Sequence, residues 1–339
     1  MTTWAKSSVM PFRLLLGGLA LLTFLFVHRP GRSLRGAVAV ITGGSRGLGL
    51  ALALELARQG AKLHLIARNV AELEMAAKKI RRHGAEVSVW PCDLRDEKMT
   101  AAVTESIGAE AGRLDLLINN AGTILVGPWE TLDTRDFADA MALHFWAPFH
   151  TVRAAHPYLT KSRGQVVNIV SIGGRVAVPH LASYTASKFA LAGLSSAMQA
   201  ELAGSGIGVT TVFPGLMRTG SHVNARFKGD VDREFTLFSF AATTPLTAIN
   251  AQRAARQIIA AARRRTPTLT ISWQAQMLTI VQALAPNFVA RLTALISRLL
   301  PRSGGNKAPV SGRNCFSSLP PLVSALGDRA AARLNETGY

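Results

Sequence analysis

The chain has 339 residues, of which 48% are hydrophobic and 17% charged, so it can bury a sizeable core and is not a disordered protein. Its formal net charge of +18 raises the question of nucleic-acid binding, but residues 36–234 carry only +3, while residues 1–35 carry +5 and residues 235–339 carry +10. A nucleic-acid-binding domain usually shows a basic stripe and a recognisable motif. We find neither, so we predict no nucleic-acid partner and favour an anionic membrane surface as the partner of the basic ends.

The N-terminal segment contains an uncharged apolar run at residues 14–27. This run is shorter than the roughly 20 residues that a membrane-spanning helix needs, but it extends back to Val9 if Arg13 reaches the lipid headgroups. A cleaved signal peptide is the alternative. Because a basic stretch at residues 28–32 stands where a small-residue cleavage site would lie, we predict an uncleaved membrane anchor.

The first predicted strand covers residues 37–41. A glycine-rich turn follows it and leads into a helix rich in leucine and alanine. Strand, glycine-rich turn and helix form the arrangement that dinucleotide binding requires. The glycines allow the backbone to approach a pyrophosphate closely, and the helix N-terminus attracts the anion. The predicted cofactor contacts in this turn are Thr42, Gly43, Ser45, Arg46, Gly47, Leu48 and Gly49.

The second predicted strand, residues 62–67, bears on the choice of cofactor. Proteins that bind NAD commonly place an acidic residue after this strand to hold the ribose 2′-hydroxyl. This chain has Arg68 there, and Arg46 in the glycine-rich turn. Guanidinium groups suit a 2′-phosphate, so we predict NADP(H). The alternative is that both arginines are solvated surface residues.

Four further predicted strands, at residues 87–90, 114–118, 165–170 and 207–212, alternate with helical stretches. Such alternation predicts an α/β fold with a doubly wound parallel sheet. Ligands of these sheets bind at the carboxyl ends of the strands. A short segment follows each of these four strands and would lie at this edge of the sheet. In chain order, the segments hold Asp93 and Leu94; Asn120, Ala121 and Gly122; Ser171; and Pro214 and Gly215.

Tyr184 and Lys188 lie four residues apart in a predicted helix, so their side chains share one face. A nearby cation favours the phenolate and lowers the pKa of a tyrosine, whose ordinary value is about 10. This pairing predicts an acid/base near neutral pH. Ser171 would supply a hydroxyl that holds the substrate oxygen.

The order and intervals of these motifs resemble the short-chain dehydrogenase/reductase family across residues 36 to about 270. The resemblance rests on residues 42–49, 119–122, Ser171, 184–188 and 214–219. It implies a Rossmann fold of about seven strands, the seventh near residues 268–271. It also implies that Tyr184 exchanges the proton at the substrate oxygen, that Lys188 binds the nicotinamide ribose, and that Ser171 orients the carbonyl or alcohol.

The resemblance also implies an order along the cofactor. Asp93, with Leu94 beside it, would lie by the adenine, and residues 120–122 along the ribose. Pro214, Gly215 and Thr219 would line the nicotinamide end. A homodimer is a further expectation from family habit.

One position departs from the family pattern. His144 stands where the family usually has an asparagine that holds a water linking the lysine to solvent. A histidine can donate and accept hydrogen bonds. His144 would therefore either take over this relay as a catalytic residue or be a packing substitution.

The remaining segments carry apolar patterns. Residues 216–250 hold several phenylalanines, which predict either a lid over a lipophilic substrate or plain core packing. Apolar residues recur at helical spacing in residues 273–284 and 288–299, with arginines off the stripe. These amphipathic helices fit membrane-surface docking, with packing on the sheet or at a dimer interface as the alternative.

The sequence thus predicts a membrane anchor and basic flank at residues 1–35, a Rossmann short-chain dehydrogenase domain at 36–272, an amphipathic helical extension at 273–300 and a flexible tail at 301–339. The expected activity is NADP(H)-dependent hydride transfer to or from a carbonyl or secondary alcohol of a lipophilic molecule. The catalytic domain would face the cytoplasm, where the cofactor is. The alternative is a cofactor-binding membrane scaffold or sensor that has lost catalysis.

The two cysteines lie far apart without metal-ligand spacing, so we expect no metal site.

Overall fold

The computed structural model describes residues 31–302, 307–316 and 318–337. The strands in this part of the chain are β1 (Val38–Thr42), β2 (Lys62–Ala67), β3 (Val87–Pro91), β4 (Leu116–Asn119), β5 (Leu125–Val126), β6 (Gln165–Ile169), β7 (Gly208–Pro214), β8 (Met217–Arg218), β9 (Arg226–Phe227), β10 (Ile249–Asn250), β11 (Thr268–Ile271) and β12 (Val310–Ser311). The α-helices are α1 (Gly47–Arg58), α2 (Val70–Arg81), α3 (Glu97–Ala111), α4 (Thr134–Met141), α5 (Ala147–Ser162), α6 (Ala182–Glu201), α7 (Val231–Thr243), α8 (Ala251–Arg264), α9 (Trp273–Leu284), α10 (Pro286–Leu299) and α11 (Pro321–Arg333). A π-helical turn, Ala142–Trp146, joins α4 to α5.

Seven strands form the central sheet, in the order β11-β7-β6-β4-β1-β2-β3. Every pairing in this sheet is parallel. The predicted Rossmann-type α/β sheet is therefore confirmed. The strand order reverses between β1 and β4, and at such a switch point the crossover connections leave in opposite directions and open a crevice above the carboxyl ends.

Alternate residues of each strand enter two different cores, because successive side chains point to opposite faces of a sheet. Ile41 packs on one face with Leu50 of α1 and Ile258 of α8. Val40 packs on the other face with Ile107 of α3 and Leu159 of α5. All six are fully buried, and each such side chain contributes about 1.5–3 kcal/mol through removal from water. Helices on both faces explain why the strands read as continuous apolar runs.

A buried polar network ties neighbouring strand ends together. The Asn119 side-chain amide donates to Asn168 Oδ1 at 2.9 Å, and Asn168 in turn donates to Ser195 Oγ of α6 at 2.9 Å. The Thr151 hydroxyl donates to Asn119 Oδ1 at 2.8 Å. Since each buried amide is hydrogen-bonded, the network adds order where β4 and β6 end.

The segment after the Pro-Gly motif is folded. Strands β5, β9 and β12 form a small sheet, and α7 packs beside it. Phe227 and Phe235 are buried there in a separate cluster, while Leu237 and Phe240 are exposed. Phe227 and Phe235 thus match the core-packing alternative, and the substrate lid stays a prediction.

Helices α9 and α10 begin and end close to the limits expected from the sequence. Their large apolar side chains are mostly exposed, among them Trp273, Met277, Ile280, Leu284, Phe288, Leu292, Leu295 and Leu299. Among the described residues, no helix has both the length and the apolarity to cross a membrane. The predicted anchor at residues 14–27 lies outside the described residues.

The expected flexible tail is folded in much of its length. It contains β12 and α11, and Ala331 and Leu334 are buried. Ala331 contacts Gly220 so closely that a side chain at Gly220 would overlap the backbone of Ala331. The glycines and prolines of this segment, which indicated flexibility, instead lead into a helix that packs against α7.

Candidate active site

A cavity of about 760 Å³ lies at the carboxyl ends of the central strands, a volume in the range of small-molecule and cofactor sites. The structure brings most of the predicted site residues to its wall. They are Gly43, Ser45, Arg46, Gly47, Leu48, Arg68, Asp93, Leu94, Asn120, Ala121, Gly122, Ser171, Tyr184, Lys188, Pro214, Gly215 and Thr219. The other three predicted residues, Thr42, Gly49 and His144, are buried outside this lining.

The glycine-rich turn is held against the loop that follows β4. Thr42 Oγ1 accepts the backbone N–H groups of Asn120 at 2.9 Å and Ala121 at 3.1 Å. Gly43 has φ of +65°, and a Cβ there would lie 2.9 Å from the Ala121 Cα. A side chain at Gly49 would overlap the carbonyl oxygen of Gly43. Glycine is therefore required at both positions for the turn to close.

Ser171, Tyr184 and Lys188 meet at one end of the cavity. The Ser171 hydroxyl lies near enough to the Tyr184 phenol to lower its pKa, and it accepts the backbone N–H of Gly173 at 3.0 Å. Lys188 Nζ lies 5.8 Å from the centre of the Tyr184 ring and donates to the carbonyl of Ile169 at 2.9 Å. The end of β6 and the first turns of α6 thus bring the three groups together.

The protonation of this group differs from the expectation. Burial raises the pKa of the Tyr184 phenol, and the neighbouring Ser171 opposes that rise only in part. Burial also lowers the pKa of Lys188 from 10.5 to about 7. The predicted lowering of the Tyr184 pKa is therefore not found, because desolvation of the buried phenol outweighs the effect of Ser171.

His144 uses both ring nitrogens in contacts away from Lys188. Its Nε2 accepts the backbone N–H of Thr123 at 3.0 Å, and its Nδ1 lies 2.7 Å from Ser187 Oγ. Burial, with a smaller contribution from the charge of Lys188, holds the pKa of His144 well below 6.5. A neutral ring with both nitrogens engaged favours the packing alternative, and the relay stays a prediction.

The two arginines expected at the cofactor phosphate differ in their surroundings. Arg68 is exposed at the cavity wall. Arg46 forms ion pairs with Glu72 at 3.3 Å and with Glu336 at 3.5 Å. Asp93, expected by the adenine, pairs with Arg95 at 2.7 Å, and this contact lowers the pKa of Asp93.

Sequence reasoning missed Glu72 and Glu336. Glu336 was hidden in a segment expected to be loose, although it is one of only two carboxylates in residues 235–339. The rarity of carboxylates among so many basic residues was the sequence signal that could have marked Glu336 as a functional residue. Glu72 lies near the start of α2, where an acidic residue of the first helical turn is ordinary, so its sequence position gave no signal.

The site residues fit a nicotinamide dinucleotide. At Gly43 and Gly49 no side chain stands between the turn and its neighbours, so the backbone lies open beside the N-terminus of α1, where a pyrophosphate is favoured. Ser171, Tyr184 and Lys188 line the same cavity away from this turn. A family model for short chain dehydrogenases matches residues 37–228.

The chain belongs to the short-chain dehydrogenase family. A fatty acyl-CoA reductase from Acinetobacter baylyi is 35% identical to this short-chain dehydrogenase over 190 residues, which cover 55% of this chain and 64% of the relative. A crystal structure of a short-chain dehydrogenase from Streptomyces avermitilis has a TM-score of 0.67 at 26% identity and covers 79% of this chain and 99% of its own. A metagenomic short-chain oxidoreductase solved in complex with NADP has a TM-score of 0.58 at 30% identity, and the match covers 71% of this chain and 97% of that structure's chain. The chain is accordingly an oxidoreductase whose fold implies a nicotinamide cofactor.

Proposed function

We propose that this short-chain dehydrogenase uses NADP(H) to reduce or form a carbonyl on a lipophilic substrate. The observation that carries the proposal is the convergence of Ser171, Tyr184 and Lys188 in the cavity that the glycine-rich turn also lines. The nicotinamide, when bound, supplies or accepts the hydride.

The side chains account for the proton. A substrate carbonyl oxygen placed between the Ser171 and Tyr184 hydroxyls receives a hydrogen bond from each. Because burial raises the pKa of Tyr184, its phenol is protonated at neutral pH and is ready to donate to an oxygen that gains negative charge. Lys188, with a pKa of about 7, gains charge readily and can then stabilise the phenolate that remains.

The wall around this end of the cavity supports a lipophilic substrate. Its side chains include Leu143, Val178, Leu181, Leu216 and Phe238. Apolar walls with a few convergent polar groups are typical of sites for apolar ligands. A relative described as a fatty acyl-CoA reductase, 35% identical over part of its length, is consistent with this class.

The choice of NADP(H) rests on Arg46 and Arg68, which both line the cavity, and on the NADP complex of the metagenomic relative. Guanidinium groups bind phosphate oxygens in pairs of hydrogen bonds. The carboxylates of Glu72 and Glu336 lie against Arg46 and oppose this preference, so both cofactors must be assayed.

We further propose that the enzyme is held at a membrane with its catalytic domain toward the cytoplasm. Support comes from the apolar run at residues 14–27 and from the exposed apolar side chains of α9 and α10. Arg291 and Arg298 on α10 add the positive charge that anionic headgroups attract.

The test is oxidation of NADPH and of NADH by the full chain against a panel of lipophilic ketones and aldehydes. We expect turnover with NADPH, and a loss of at least about 100-fold in Tyr184→Phe with NADPH binding retained. Tyr158→Phe, which removes a phenol on α5, is the matched control and should keep turnover. Cofactor binding without oxidation of any panel member would contradict the enzyme and favour the scaffold alternative.

A further inference from the structure

A buried carboxylate from the C-terminal segment lies against the glycine-rich turn. Glu336 is only 3% exposed and lines the cavity. A Cβ at Gly47 would lie 2.5 Å from Glu336 Oε1, so this carboxylate sits directly at the backbone where α1 begins. Its Oε2 is 3.5 Å from Arg46 Nε.

The backbone around Glu336 is held by the turn itself. The Gly47 N–H donates to the Leu334 carbonyl at 2.8 Å, and the Asn335 side chain donates to the Ser45 carbonyl at 3.1 Å. Lys79 Nζ donates to Asn335 Oδ1 at 2.5 Å. These contacts, together with the burial of Leu334, make the segment a fixed wall of the cavity.

The Glu336 side chain is oriented from the other side. Asn224 Nδ2 donates to Glu336 Oε2 at 2.5 Å and to its backbone carbonyl at 2.8 Å. Arg313 donates to the same carbonyl at 2.9 Å. The charged groups facing the carboxylate are thus Arg46 and Arg313, which favour its ionised form, and Glu72, which opposes it.

Arg46 is shared by two carboxylates before any ligand arrives, since Glu72 Oε1 lies 3.3 Å from its Nη1. A 2′-phosphate at this end of the cavity needs the same guanidinium, whereas the 2′-hydroxyl of NAD(H) does not. An anion that approaches Arg46 also meets the negative charge of Glu336, and like charges in contact weaken binding.

We propose that Glu336 sets the cofactor preference of this enzyme. Its carboxylate competes with the 2′-phosphate for Arg46 and thereby lowers the affinity for NADPH relative to NADH. The inference rests on the proposed use of a nicotinamide cofactor in this cavity. Glu336 acts through Arg46 and is a specificity-determining residue of the pocket wall.

The test compares dissociation constants of NADPH and NADH for the full-length protein and for Glu336→Gln, measured by calorimetric titration. The titration is run at about pH 8, because burial raises the pKa of Glu336 to about 7 and the carboxylate is then mostly ionised. Glutamine keeps the shape and can still accept from Asn224. We expect the dissociation constant of NADPH to be at least about fivefold lower in Glu336→Gln than in the wild type, with a smaller change for NADH.

Three further variants test whether the effect of Glu336 passes through Arg46. Glu74→Gln removes the same charge from an exposed residue of α2 that pairs with Arg81 at 3.7 Å, and it should leave both constants unchanged. In an Arg46→Gln background, Glu336→Gln should no longer shift the preference. If Glu336→Gln loses its cooperative thermal transition, Glu336→Asp withdraws the carboxylate from Arg46 while keeping the charge, and it should shift the preference in the same direction.

The outcomes separate the two proposals. An unchanged NADPH-to-NADH ratio in Glu336→Gln, or an equal gain for both cofactors, would overturn the role of Glu336 while leaving the dehydrogenase intact. Failure of the wild-type protein to bind either cofactor would overturn the proposed function as well.

Discussion

His144 and Ser187 form a 2.7 Å contact between Nδ1 and Oγ that ties the π-helical turn to α6. Ser187 donates its hydroxyl proton to the backbone carbonyl of Tyr184 at 2.8 Å. Since His144 Nε2 accepts from Thr123, the neutral ring carries its proton on Nδ1 and donates it to Ser187. The imidazole therefore holds the turn of helix on which Tyr184 stands, and its ring lies edge-on to the Tyr184 ring at 5.5 Å between centroids.

From this contact we predict the result of His144→Ala. The change leaves a cavity and an unpaired N–H at Thr123, so the free energy of unfolding should fall by about 2–4 kcal/mol. Chemical denaturation measures this loss. Turnover of the folded variant should stay close to that of the wild type, because a packing role requires no proton transfer by the ring.

The control is His64→Ala, which removes a buried histidine that accepts a hydrogen bond from Trp90 at 3.1 Å, remote from the cavity. It should lose stability with no effect on turnover. A large loss of kcat in His144→Ala with little loss of stability would contradict the packing role and favour the relay.

Lys188 predicts a pH dependence of stability. Its pKa is about 7 in the folded protein against 10.5 when unfolded, so the unfolded chain binds more protons between these values. Burial of Lys188 consequently costs stability in full below about pH 7, and the cost disappears as the pH rises toward 10.5. Lys188→Met removes this cost, so its stability relative to the wild type should be highest near pH 6 and should decline steadily up to pH 10.

Denaturant midpoints across this range check the prediction. Lys62→Met, at an exposed lysine that pairs with Glu86 at 2.9 Å, serves as the comparison and should show no such decline. A stability difference for Lys188→Met that does not vary with pH would show that Lys188 keeps its ordinary pKa.

Gly49→Ala tests the closure of the glycine-rich turn. A Cβ at Gly49 would overlap the Gly43 carbonyl, so the turn must shift at a cost of about 1–3 kcal/mol, and NADPH should bind more weakly. Gly193→Ala in α6 places a methyl group in open space and should gain about 0.5–1 kcal/mol from helix propensity. Equal stability of the two variants would refute the close contact.

Fluorescence quenching by brominated lipids tests the membrane face of α9 and α10. Trp273 is 65% exposed on this face, so anionic vesicles of brominated phospholipid should quench it. The fluorescence lost on quenching should fall in Trp273→Phe and stay constant in Trp90→Phe, because Trp90 is half-buried at the sheet. Equal quenching in wild type and Trp273→Phe would show that this face does not enter the lipid.

Local signals predicted much of the fold. An apolar β-rich run gave β2 at its observed limits, because a strand covered by helices on both faces is apolar along most of its length, and the family resemblance gave the position of β11. The four-residue spacing of Tyr184 and Lys188 likewise placed both at the cavity. In contrast, neither the partners of His144 nor the packing of α11 could be predicted, since both depend on elements distant in the chain.

The sequence by itself determined which residues end the strands and begin the helices, because periodicity and glycine chemistry act over a few residues. Only the tertiary structure decided what surrounds those residues. Asn335 bonds to Ser45 across 290 positions of sequence, and Glu336 lies beside Arg46. A charged group takes the partner that folding brings within a few ångströms of it, and no local pattern records which partner that is.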